Sequence, residues 1–104
     1  MEKLGINQLV IAGMLAKAPR LTKSPAGIPH LHLSVEHRSM QTEAELSRQC
    51  YVRIQVVASG NWVLAWSEQL TLGSAVKIAG FIQRHEDKNG MSKLVLHAQK
   101  IEQV

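Results

Sequence analysis

The chain carries a single cysteine, Cys50, among its 104 residues, so no intrachain disulfide is available and an oxidising, secreted setting gains no support. Its apolar runs are a few residues long, too short for a membrane-spanning helix. No basic-then-apolar leader opens it, and the expected address is the cytoplasm. A glycine-rich phosphate loop, a nucleophile elbow and an evident carboxylate pair are all missing, so no enzymatic activity is expected. There is no internal repeat and no low-complexity tract. Acid is missing too, from one long stretch: none falls between Glu2 and Glu36, where Lys3, Lys17, Arg20 and Lys23 lie.

What is present fits one domain spanning residues 1–104, near the commonest domain size. Apolar residues make up 45% and charged residues 19%, the balance of an ordinary globular chain. The formal charge is +4 and the sequence pI about 9.6, a moderate bias towards anionic partners. Acids gather at Glu43, Glu45 and Glu86-Asp87. One side of the molecule is therefore expected to be positive while other loops are acidic.

Short strand-like runs alternate with turn signals. The first, Leu9 to Pro19, contains Gly13, which suits a bulge or bend. The stretch RLTKSPAGIP then reads as a basic loop, with Gly27 supplying a positive φ. From His30 the pattern alternates: Leu31, Leu33 and Val35 face one way, and His30, His32, Ser34, Glu36 and Arg38 the other. Met40 to Ser47 reads as a polar loop. The third run sets Cys50, Val52, Ile54 and Val56 opposite Gln49, Tyr51, Arg53 and Gln55, so the second and third runs form a long hairpin with one wet face.

After Gly60, WVLAWSEQL suits about two turns of helix plugging the core, with Asn61 as cap and Val63, Trp66 and Leu70 on one stripe. SAVKIAGFIQRH and KLVLHAQKI then form a last hairpin around Asn89-Gly90. Such aliphatic surface on a single small sheet is protected only if the sheet closes. The expected fold is all-β: a five-stranded Greek-key barrel, the OB-fold, with one short helix between strands three and four. An α+β sandwich is the alternative.

Three chemistries compete. Cys50 with five histidines suggests a thiol nucleophile, but Cys50 shares an apolar face with Val52 and Ile54 and is expected in the core. His30 and His32 on one strand face offer two metal ligands, yet zinc needs a third or fourth, so no metal and no cofactor is expected. His85 and His97 read as surface or strand-edge residues, and His37, in phase with Leu33 and Val35, as a partly buried one near its strand end.

The third chemistry is Tyr51 on a wet face beside Arg53 and Gln49, where an unpaired base can stack while cations hold phosphates. In OB-folds, strands two and three and the loops joining one-two and four-five form the binding surface. That places Arg38, Arg48, Arg53, Lys88, Lys93, Lys17, Arg20 and Lys23 around Tyr51 as candidate nucleic-acid contacts. Arg48 is out of phase with Tyr51 and is expected as a loop contact. His30 and His32 would be secondary contacts.

At SPAGIPHLHLSVEHRS, SRQCYV and KNGMSKLVLHA, with AGFI before the last, the sequence resembles the PriB family of primosomal replication proteins, over about Asn7 to Glu102. The resemblance implies an OB-fold homodimer related to the bacterial single-stranded-DNA-binding protein. It implies a non-enzymatic role in replication restart at the fork: binding single-stranded DNA, contacting the PriA helicase and helping recruit DnaT. Single-stranded-DNA-binding protein is a further candidate partner. By position Arg38, Arg48, Tyr51, Lys88 and Lys93 match the family's DNA-contacting residues, with Tyr51 where a tryptophan can sit. Leu46 stands in place of an aromatic and Glu86 in place of a basic residue. Those departures favour a second expectation, an OB module that binds the helicase and touches DNA weakly.

Overall fold

The computed structural model describes residues 2–104. A 3-10 turn, Glu2–Leu4, precedes β1 (Leu9–Leu15), β2 (Arg20–Lys23), β3 (Pro29–Glu43) and β4 (Leu46–Ser59). Then come α1 (Val63–Gln69), β5 (Ala75–Glu86) and β6 (Ser92–Gln103). The sheet order is β1-β5-β6-β4-β3-β2, and β1 also pairs with β3. Five strands thus close into a barrel, and β2 hangs on β3 alone. This is the expected closed OB barrel, with the helix between its third and fourth barrel strands.

The alternation places the core as expected. Leu31, Leu33, Val35 and Val56 are buried together with Leu15, Val76, Ile78 and Leu96. Each such side chain contributes roughly 1.5–3 kcal/mol on leaving water. Val63 and Leu70 seal one end of the barrel, with Trp66 packed against them. The helix N-cap is Trp62, without a side-chain cap bond, so Asn61 does not cap it.

Gly13 and Gly80 stand where a neighbouring strand comes too close for a Cβ. A Cβ on Gly13 would strike the Glu36 carbonyl where β1 crosses to β3, and one on Gly80 would strike the His97 carbonyl beside the β5–β6 bulge.

Two segments expected as loops are strands. Arg20–Lys23 pairs with Pro29 to His32, because β3 offers an unpaired edge there and backbone pairing needs no apolar alternation. The β3–β4 hairpin runs unbroken to Glu43 opposite Leu46, so Met40 to Ser47 is ribbon apart from its two-residue tip. That tip holds Ala44 at φ 52 and Glu45 at φ 62, the double positive φ of a type I′ turn. Lengthening the ribbon moves three residues from their expected places. His37 is mid-strand, Arg48 is a strand residue opposite Gln41, and Cys50 is half-buried outside the core cluster.

Candidate nucleic-acid interface

The strand pairing lays out the wet face as a grid. Across β3 and β4, Arg38 lies opposite Tyr51, Glu36 opposite Arg53, Ser34 opposite Gln55 and His32 opposite Val57. Next to β4 runs β6, with Val95 beside Gln55 and His97 beside Val57. On β5, Phe81 faces His97, Gln83 faces Val95 and His85 faces Lys93. Arg20 on β2 lies opposite His32. One sheet face therefore gathers Arg20, Arg38, Tyr51, Arg53 and Lys93.

Tyr51 is the exposed aromatic of this face, at 52%. The Arg38 guanidinium carbon sits 4.6 Å from its ring centroid, a cation–π contact that holds the ring in place. Arg38 also donates through Nε to Glu36 Oε1 at 3.1 Å, and its Nη2 lies 3.0 Å from the same oxygen. At 72% side-chain exposure its remaining N–H groups face solvent. A shallow cleft is lined here by Arg38, Ser39, Met40, Gln49, Cys50 and Tyr51.

Below Tyr51, long polar side chains lie flat on the sheet. Arg53 Nε and Gln55 Nε2 both donate to Ser34 Oγ, at 3.4 and 3.3 Å, and Ser34 is buried beneath them. Lys17, Arg20, His32, Ser34 and Gln55 line a second, polar cleft, so two cations from the first barrel connection join the face.

Other candidates lie off it. Arg48 is on the opposite face of the ribbon and pairs with Glu43 at 3.1 Å. Lys23, opposite Pro29, is out of phase with Arg20. Lys88 sits in the β5–β6 turn, which Asp87 builds: its Oδ1 accepts from the Asn89 and Met91 amides, each at 2.9 Å. Glu86 approaches Arg84 at 3.6 Å. Leu46 is exposed at the ribbon tip.

The histidines are placed by hydroxyls and by one another. His30 Nδ1 meets Ser59 Oγ at 2.7 Å and His32 Nε2 meets Thr22 Oγ1 at 2.9 Å. His37 Nδ1 donates to the Ala12 carbonyl at 2.6 Å. Burial, then Arg20 and His30, hold His32 below the usual imidazole range. Burial, then His85, do the same for His97. The contact between His85 and His97, Nε2 to Nε2 at 2.8 Å, was not legible in the sequence. They lie twelve residues apart and are not cross-strand partners, since His85 faces Lys93 and His97 faces Phe81.

A family model described as "another single-strand binding protein family" matches residues 7–100. The chain is 48% identical to replication restart protein PriB of Photorhabdus laumondii, over 92% of this chain and 91% of that one. It is equally 48% identical to the PriB of Photobacterium profundum, over 92% of each chain. Among solved structures, the protein PriB from Ralstonia solanacearum superposes with a TM-score of 0.77 at 22% identity, covering 94% of this chain and 97% of that one. The wild-type single-stranded DNA binding protein from Thermus aquaticus gives 0.81 at 20% identity, covering 95% of this chain and half, 50%, of that one. At those identities the structures show the fold.

Proposed function

Since this chain belongs to the PriB family of replication restart proteins, within the single-strand-binding families, we propose that its Tyr51 face binds single-stranded DNA at the replication fork. The observation that carries the reading is the Arg38–Tyr51 pair, an exposed ring set among cations on an OB barrel face. Bases stack on Tyr51, and phosphates engage Arg38, Arg53, Arg20 and Lys93. Lys88, Lys23 and Arg48 add contacts from the turn, β2 and the ribbon's far side. Stacking and phosphate contacts accept every base, so sequence preference is weak.

The role is that of a cytoplasmic adaptor: bound to DNA, the protein helps the PriA helicase and DnaT assemble, beside single-stranded-DNA-binding protein. It works as a homodimer. The support is β1, whose β3 side is unpaired except at Met14 and Leu15 and whose Val10 and Met14 are exposed, a surface that a second copy covers.

Fluorescence-anisotropy titration with single-stranded and duplex DNA at two salt concentrations tests the reading. With about four phosphates neutralised, affinity for the single strand falls roughly 50-fold from 50 to 200 mM salt. Tyr51→Ala weakens binding by about 1–3 kcal/mol on every sequence. Salt-independent binding, or an unchanged affinity in Tyr51→Ala, sinks this assignment of the site.

A second reading, a module that binds the helicase and touches DNA weakly, is favoured by the ion pairs of Arg38, Arg48 and Arg84 with neighbouring glutamates. Excess oligonucleotide that fails to displace helicase separates the two surfaces.

A further inference from the structure

On β6 and β5, the two strands beyond Tyr51's strand, the same sheet face carries an aromatic cluster that none of the binding contacts above uses. Phe81 and His97 are stacked, with centroids 4.9 Å apart and planes 6° apart. His85 closes on His97 at 2.8 Å between Nε2 atoms, its ring tilted by 39°. The two imidazoles reach across the Gln83–Val95 pair that separates their positions in the ladder. Val95 is consequently only 5% exposed, although it points away from the barrel interior and is not part of the core cluster. Phe81, His85 and His97 themselves are only half-buried.

A neutral imidazole has one N–H and one acceptor nitrogen. In the Nε2 to Nε2 contact one ring donates, so its Nδ1 is an acceptor; the other ring accepts, so its Nδ1 carries hydrogen. Neither Nδ1 has a hydrogen-bond partner among the described residues. The pair thus offers one donor and one acceptor beside the half-buried Phe81 ring. That combination suits an unpaired nucleobase, which has two aromatic faces and an edge of mixed donors and acceptors.

The cluster is continuous with the Tyr51 face. His97 lies beside Val57 on β4, six residues from Tyr51 and so about 20 Å along the strand. Arg53 lies between them on β4, and Lys93 faces His85. Glu36, the acid of the β3 row, is paired with Arg38. The intervening surface is therefore polar to cationic, as a phosphate backbone requires.

We propose that Phe81, His97 and His85 form a second nucleobase platform, which takes a later base of the same single strand that stacks on Tyr51. This rests on the single-strand-binding reading and extends it: one strand crosses β4 and β6 obliquely and is gripped at two aromatic points with a cationic span between.

Phe81→Leu removes the π face while keeping an apolar side chain of similar reach. Anisotropy titration with an oligothymidylate of about 16 nucleotides, the upper end of OB-fold site sizes, compares wild type, Phe81→Leu and Tyr51→Ala. Phe81→Leu is expected to bind about fivefold or more weakly, the least that one lost base stack costs, with its salt dependence unchanged because no phosphate contact is lost. Unchanged affinity in Phe81→Leu beside a weakened Tyr51→Ala overturns this platform alone. No binding by wild type overturns the platform and the single-strand-binding reading together. Ultraviolet cross-linking of wild-type protein to the same strand requires no variant. Adducts on Phe81 or His97 support the platform, and adducts confined to Tyr51 overturn it.

Discussion

At the scale of single residues, sequence phase was enough to put Tyr51, Arg38 and Arg53 on one outward face, because a strand alternates its side chains whatever it packs against. It misplaced Cys50, whose face is apolar but whose position on the ribbon lies beyond the barrel. It read His85 and His97 as surface or strand-edge residues, since a contact that skips the Gln83–Val95 pair leaves no mark in strand phase. Those histidines have a measurable consequence. Burial, and then a neighbouring charge, hold His97 and His32 below the usual 6.5. Below that value the unfolded chain takes up protons that the folded chain refuses, so stability rises with pH in this window. The melting temperature is expected to fall as pH drops from about 7.5 towards 5.5. His97→Phe, which keeps a stackable ring and removes one titrating group, should flatten that fall. An identical profile in the variant assigns the pH dependence to other groups.

At the scale of elements, the sequence showed each barrel strand because one face of each must be apolar. It hid β2 and the outer ribbon because nothing there is buried on either side. RLTK has no core face of its own, and Met40 to Glu43 is solvated all round, so composition resembled loop. The ribbon tip is also unusual in its residues. A type I′ turn favours Asn-Gly, whereas this one places Ala44 and Glu45 at positive φ, at a cost of about 1–2 kcal/mol per residue. Replacing Glu45 with glycine removes that cost but adds freedom to the unfolded chain. The expected net gain is about 0.5–1 kcal/mol, or roughly 2–8 °C in Tm. Denaturant unfolding with an unchanged midpoint would show that the tip stores no strain.

At the scale of the whole molecule, closure was predictable from the amount of aliphatic surface a small sheet has to hide, but the evenness of the closure was not. The joins around the barrel are unequal: fourteen partnered positions join β3 to β4 and eleven join β5 to β6, against three between β4 and β6. Between β1 and β3 there are two, Met14 with Glu36 and Leu15 with Val35. That junction is the shortest in the barrel, so the entropy of closing the sheet on itself is met there by the fewest partnered positions. The barrel thus has a seam. In native-state hydrogen exchange the amide of Ala16, which bonds across the seam to the Ser34 carbonyl, is expected to exchange before those in the middle of β4. Uniform protection around the barrel would show that no seam exists. A cylinder whose shortest join lies between β1 and β3 behaves mechanically as a cuff: it springs apart there first, while its decorated outer wall, from Arg20 to Phe81, stays in register.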